Sequence, residues 1–309
     1  MTRAVVVGGQ GFLGSAIASD LLRRGDEVFV FDVDADRTEC DEIFGTGVVR
    51  VVRGDILDPA ALRSAFRGAD EVYHLAGMLG TSELEENVGA AILGNVCGSV
   101  NVFEAAIACR VPAVFYPSKP NVWRNTYTIT KFAAEQFAEL YSEGGDVRIP
   151  SLRYFNAYGP RQSLGPIRKL VPTFAVQALC GLPLTVYGDG EQTVDMIFSE
   201  DLARQTVDFL RSGYQGEAPD CGRGVPMTVL EMAECVRALL GSSSPIVHLP
   251  MRRGETPSTH LVADPVRLEG VLGPLGFTDF ERSLEATLNW YAGRPSIQLA
   301  AAASALGAA

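Results

Sequence analysis

The stretch Ala4-Val5-Val6-Val7-Gly8-Gly9-Gln10-Gly11-Phe12-Leu13-Gly14 decides how this chain is read. An apolar run of the kind that forms a buried strand leads into glycines at Gly8, Gly11 and Gly14, and an amphipathic helix follows from about Phe12 to Arg24. The tight turn requires glycine, because a side chain there would keep the backbone away from a pyrophosphate. The helix start then offers free N–H groups and a partial positive charge to an anion.

The same rhythm continues outward. Val28–Phe31, Val48–Val52, Glu71–Leu75, Ala113–Tyr116 and Arg148–Tyr154 read as strands, the last broken early by Pro150. Asp58–Phe66, with Pro59 in its first turn, Asn95–Cys109 and Lys131–Tyr141 read as helices between them. Nearly all-apolar strands alternating with helices predict an α/β fold, a parallel sheet covered on both faces. Beyond about Gly159 the rhythm loosens, with helices near Pro172–Cys180 and Val229–Leu240 separated by irregular stretches. The expected division is a first domain over 1–160, with 197–210 returning to pack on it, and a smaller lobe over 161–294. The Ala-rich tail, 295–309, is expected to be a frayed end or a short helix.

Composition narrows the function. With 26 basic and 37 acidic residues the formal charge is −11, which argues against a nucleic-acid partner bound through its backbone. The six cysteines form no Cys-x-x-Cys pair, and the three histidines no His-x-x-x-His arrangement, so no metal is expected. Scattered thiols suggest a reducing, cytoplasmic setting. No signal peptide is expected, nor an apolar run of membrane-spanning length, and hence no membrane partner.

Asp32 ends the second strand, where a carboxylate can accept both ribose hydroxyls of an adenosine and repel a 2′-phosphate. Val33 brings no compensating cation, so the expected cofactor is NAD rather than NADP. Gly54-Asp55-Ile56 could hold the adenine edge or be a plain turn. Tyr127 and Lys131 stand one helical turn apart on a shared face. An ammonium near a phenol favours the phenolate, so a lowered Tyr127 pKa is expected, as general acid/base work requires. A lone Tyr-x-x-x-Lys also occurs on solvated faces.

Together these stretches resemble the extended short-chain dehydrogenase/reductases, in their NAD-dependent epimerase/dehydratase branch. The resemblance rests on Gly8–Gly14, Asp32, Gly54–Asp58, His74-Leu75-Ala76-Gly77, Asn95–Ala106, Tyr127–Lys131, Leu152–Arg161 and Val186–Gly190, and runs from about Thr2 to Tyr291. It implies a Rossmann-type, doubly wound parallel sheet with a smaller C-terminal substrate lobe. It also implies a tightly held NAD, a nucleotide-sugar substrate and a homodimer formed through two helices of each protomer. Gly8, Gly11, Phe12, Leu13, Gly14, Asp32, Asp55, Ile56, Leu75, Ala76, Gly77 and Lys131 would then hold the cofactor. Tyr127 would be the acid/base, Lys131 its tuning cation, and His74 a sheet residue near the cofactor rather than a catalyst.

This chain departs from the family's pattern where a Ser or Thr hydroxyl usually polarises the substrate. Aligned on Val122-Trp123, Lys119 falls at that position and Ser118 one residue early, before a short loop to Tyr127. Ser118 is the expected catalytic hydroxyl, with Thr81, Thr126 and Thr128 as alternatives. Dehydratases of the family carry Asp-Glu next, and decarboxylating members generally Glu at the second place. Here Pro120 and Asn121 exchange no protons, which favours epimerisation, expected at C4, with a dehydratase or ketoreductase of the family, or a non-catalytic NAD-binding regulator, as the alternatives. An Arg that clasps the diphosphate in many relatives is Val194 here; Lys169 and Arg252 could compensate. Asn156 matches a diphosphate contact, Thr81 is a further candidate, and Tyr187 could stack on a base or simply pack.

Overall fold

The computed structural model describes residues 1–80, 83–120, 124–165, 168–251 and 260–307. The chain divides into two compact units. The first takes Met1–Tyr154 and regains Leu202–Cys221 and Pro265–Leu275; the second takes Phe155–Asp201, Gly222–Asp264 and Gly276–Ala309.

In the first unit the strands are β1 (Arg3–Val7), β2 (Glu27–Asp32), β3 (Arg50–Arg53), β4 (Glu71–His74), β5 (Ala113–Ser118) and β6 (Ser151–Tyr154). With Asp220–Cys221 they form one seven-stranded sheet, ordered Asp220–Cys221, β6, β5, β4, β1, β2, β3. Every pairing in it is parallel. This is the expected doubly wound sheet, and the order turns back between β1 and β4. Ligands bind at such a switch point, beyond the carboxyl ends of the strands. Ala4 to Val7 are fully buried, as a strand covered on both faces must be.

The helices are α1 (Phe12–Arg23), α2 (Arg37–Phe44), α3 (Pro59–Phe66), α4 (Val88–Ala91), α5 (Gly98–Cys109) and α6 (Thr126–Glu143). Asp58 caps α3 by accepting from the Ala60 and Ala61 amides, and Pro59 takes the first position, where no N–H is needed. A π-helical turn, Ile92–Cys97, joins α4 to α5. The 22 residues Val88–Cys109 therefore run as one helix, apolar and long enough by composition to cross a membrane. That corrects the expectation that no such run exists. Its Val102, Phe103, Ala105 and Ala106 are buried in the first unit's core, against Leu62 and Phe66 of α3 among others.

Other boundaries also moved. Val48 lies outside β3, which begins at Arg50. Helix α2 was not anticipated, its apolar periodicity being weak. Pro150 holds back β6: Arg148 still bonds Pro112 and Val114, but the regular strand starts only at Ser151. Ala-rich Ser296–Gly307 is helical.

The helix Ser199–Ser212 brings Arg211 onto the first unit's sheet. Its guanidinium donates to Asp26 at 2.6 Å and to Glu71 at 2.9 Å. In the second unit Thr193–Phe198 pairs with Pro226–Thr228, His260–Leu261 and Asn156–Tyr158, and Leu184–Tyr187 pairs with Ile246–Leu249. Phe174, Val186, Met196, Met232 and Leu288 lie in its core. Replacing Arg211 with Met strands two carboxylates beside the sheet. It should lower the unfolding free energy by about 1–2 kcal/mol in urea denaturation, and an unchanged midpoint would show the contact to be idle.

Candidate active site

The cofactor groove is built from the turn after β1. Gly8 has φ +80°, its N–H donates to the Phe31 carbonyl at 2.8 Å, and an added Cβ would meet the Ala76 nitrogen at 2.6 Å. A Cβ on Gly14 would collide with the Gly8 carbonyl oxygen. Gly11 caps α1 without any side-chain hydrogen bond. The amides of the first turn, at Phe12, Leu13 and Gly14, therefore lack a side-chain cap, as an anion site needs. From the neighbouring strand the Leu75 and Ala76 amides both donate to the Val7 carbonyl, at 2.7 and 2.9 Å.

A cavity of about 350 Å³ opens at the carboxyl ends of β1, β2 and β4. Gly8, Asp32, Asp55, Ile56, Ala76 and Gly77 line it together, as do Met78 and Leu93. Asp32 accepts the Gln10 amide at 3.2 Å and the Asp34 amide at 3.3 Å. Asp55 makes its own turn by accepting the Leu57 amide at 2.9 Å, while still facing the cavity. Glycine cradle, uncapped helix start and strand-end carboxylate fit a dinucleotide.

Two residues that the sequence reading passed over organise this groove. Gln10 donates to Glu39 at 2.7 Å and to the Asp34 carbonyl at 3.3 Å, and accepts the Asp36 amide at 2.7 Å. It thereby clips the loop after β2 to the glycine turn. The available signal was a long amide side chain between Gly9 and Gly11. Asn95, within the π-helical turn, accepts the Met78 amide at 2.6 Å and donates to the Met78 carbonyl and to Thr130 Oγ1, both at 3.1 Å. One side chain thus ties the cavity's edge to the helix bearing Tyr127 and Lys131.

That helix, α6, is capped by Asn125, which accepts the Thr128 amide at 2.9 Å. Glu85 accepts the Thr126 amide at 2.8 Å. Tyr127 and Lys131 are both half-buried. Lys131 Nζ lies 4.0 Å from the centroid of the Tyr116 ring, turned into the unit rather than out to water. Burial pushes the Tyr127 phenol up to about 12 and the Lys131 ammonium down to about 7. The expected lowering of the phenol is therefore not what these side chains produce by themselves. Desolvation penalises both charged forms and is the leading cause of both shifts.

Ser118 closes β5 at only 2% exposure, and its hydroxyl bears on the buried Glu135 carboxyl. Lys119 Nζ donates to the Pro120 carbonyl at 2.7 Å and to Thr128 Oγ1 at 2.9 Å. His74 is buried, shares a hydrogen bond with Ser99 at 2.9 Å, and is pushed down to about 3 by burial, so it stays neutral.

Asn156, Lys169 and Tyr187 belong to the second unit. Asn156 opens a strand paired with Met196, and Lys169 precedes the helix Leu170–Leu179. The Tyr187 hydroxyl accepts from Arg168 at 2.6 Å. Thr81 and Arg252 lie outside the described residues, as do Asn121, Val122 and Trp123. Among the described residues no cluster of His, Cys, Asp and Glu could hold a metal ion.

A family model described as the NAD dependent epimerase/dehydratase family matches residues 4–222. A UDP-N-acetyl-alpha-D-glucosaminuronate decarboxylase of Bacillus cytotoxicus is 27% identical, with 94% of this chain and 97% of that one covered. Among solved structures, an epimerase of Methanothermobacter thermautotrophicus superposes with a TM-score of 0.88 at 26% identity, over 94% of this chain and 92% of its own. A UDP-glucose 4-epimerase of Thermus thermophilus, solved with NAD, gives a TM-score of 0.83 at 26% identity, over 95% and 100%.

Gln10→Leu keeps the bulk but removes the clip on the loop after β2. Titration calorimetry on the cofactor-stripped protein should show NAD binding weakened by about tenfold. An unaltered Kd would mean that the loop holds its place without Gln10.

Proposed function

This chain belongs to the NAD dependent epimerase/dehydratase family, and we propose that it is a nucleotide-sugar epimerase acting at C4 of the sugar. One observation carries the reading. Tyr127 and Lys131 sit a turn apart on α6, and Asn95 links that helix through Thr130 to the Met78 edge of the dinucleotide cavity. Bound NAD supplies the hydride acceptor and donor.

Tyr127 takes the proton of the sugar hydroxyl when that carbon is oxidised and returns it when the carbon is reduced. The exchange needs no net proton, which suits a half-buried phenol with restricted access to water. Lys131 contributes positive charge on the same helix face and favours the phenolate once the site is filled. Pro120 and Asn121, where dehydrating and decarboxylating relatives hold acids, cannot drive an elimination, which favours reversible oxidation. Asn156, Lys169 and Tyr187, with Thr81 and Arg252, are assigned to the nucleotide sugar. Its diphosphate needs cations, and Val194 supplies none.

A second reading has one observation in its favour. The Bacillus cytotoxicus relative is named for the decarboxylation of a nucleotide-linked uronic acid. We further assign the chain to the cytoplasm, in keeping with its six free cysteines. It is also read as a homodimer. Helix α6 exposes Ile129 at 55%, Phe132 at 46% and Leu140 at 61%, a stripe that a second copy would cover.

Tyr127→Phe should cut the interconversion of UDP-glucose and its C4 epimer by at least about a hundredfold, while NAD binding stays intact. Full turnover in that variant would remove the acid/base assignment. Carbon dioxide released from UDP-glucuronate without epimer formation would favour the second reading instead. The dimer has its own test. Ile129→Asp combined with Leu140→Asp should shift the mass in light scattering to one protomer, and an unaltered dimer would place the interface elsewhere.

A further inference from the structure

Of the 26 basic residues in this chain only three are lysines: Lys119, Lys131 and Lys169. The rest are arginines, whose guanidinium keeps its proton in any protein setting. A lysine ammonium is compact and gives up its proton when its surroundings disfavour charge. One of the three, Lys119, lies over the Tyr127 ring, and Lys131 follows Tyr127 by one helical turn.

Lys119 occupies an expensive place. It follows β5 directly and bonds into the first turn of α6, the end of a helix that favours anions. Two acceptors it reaches are the Pro120 carbonyl and the Thr128 hydroxyl. Its Nζ lies 5.7 Å from the centroid of the Tyr127 ring, and it is near enough to Lys131 to help depress that amine. Glu135, one turn beyond Lys131, draws on both amines and is itself buried. Tyr116 and Ser118 complete the enclosure from β5, and Glu85 stands at the Thr126 amide. A serine or an aliphatic residue would avoid the desolvation, the helix-end penalty and the like charge together. A cation held against three penalties, on the ring of a phenol that must ionise, has something to act on.

We propose that Lys119 is a positioning residue that acts through Tyr127, its amine over the ring setting how readily the phenol releases its proton. This rests on Tyr127 being the acid/base. An ionised Lys119 adds positive charge beside the Tyr127 ring and favours the phenolate. Burial brings Lys119 down to about 8. The charge is therefore present below that pH and lost above it, within the range where an enzyme is assayed.

Three lysines make the test direct, because lysine labelled with carbon-13 at Cε yields three resonances. In the cofactor-stripped protein, the resonance that disappears in Lys119→Met should titrate well below the ordinary 10.5. The Lys131 resonance should then titrate at higher pH in that variant, since a like charge has gone. With UDP-glucose as the probe, kcat of the wild type should fall as pH rises through about 8. Lys119→Met should be slower by about tenfold or more at pH 7, and any remaining limb should follow the Lys131 resonance instead. Lys119→Arg, always charged, should keep most of the rate and move the limb upward. A Lys119 resonance with an ordinary midpoint overturns the proposal, as does a Lys119→Met rate lowered equally at every pH. Full activity in Tyr127→Phe would instead refute the acid/base reading beneath it. If UDP-glucose is not turned over, the resonance titration decides alone.

Discussion

The first unit depends on how closely its backbone approaches itself at the end of β1. Gly14 packs so tightly on the Gly8 carbonyl that a methyl group cannot be inserted, and Gly8 leaves no room for one beside Ala76. That approach fixes the start of α1 over the carboxyl end of the sheet. It also brings the loop after β4 into register through the two amides on Val7. Around this contact Val5, Val7, Phe31 and Val72 are packed away from water, each contributing about 1.5–3 kcal/mol of burial. The turn therefore rests on a rigid base, as a site for an extended anion requires.

Polar side chains then carry that geometry to the chemistry. Gln10 and Asn95 both use their amides in two directions, one on the loop after β2 and the other between Met78 and Thr130. Such bonds are worth about 1 kcal/mol each in stability, but their main effect is to remove freedom between parts that must meet the same ligand. The interior around α6 works against stability. A phenol, two amines and a carboxyl are drawn into a region that penalises the charge on each. Such an arrangement is expected where proton transfer, rather than packing, set the residues.

The second unit shows what its central strand tolerates. Asp195 is fully buried and accepts the amides of Arg223, Gly224 and Ala263 at 2.9, 2.7 and 3.2 Å. One carboxylate so used organises two loops, and removing it would leave three donors unsatisfied. Val194, next to it, pairs with Met227 and Leu261 in the sheet and packs against the unit's core.

Much of the first unit was legible from residue order. The opening strand, turn and helix, the strand-end Asp32 and the helical spacing of Tyr127 and Lys131 are local patterns, determined by spacing within one element and by what glycine alone permits. The parallel sheet followed from apolar strands alternating with helices. Only the tertiary structure decided that Gln10 and Asn95 clamp the groove, that Ser118 is enclosed against Glu135, and that Tyr127 shares its surroundings with a second lysine. It also reversed the expected direction of the Tyr127 pKa. Those outcomes depend on which side chains, distant along the chain, are shut into one small volume and how much water leaves with them. No spacing along the chain encodes that.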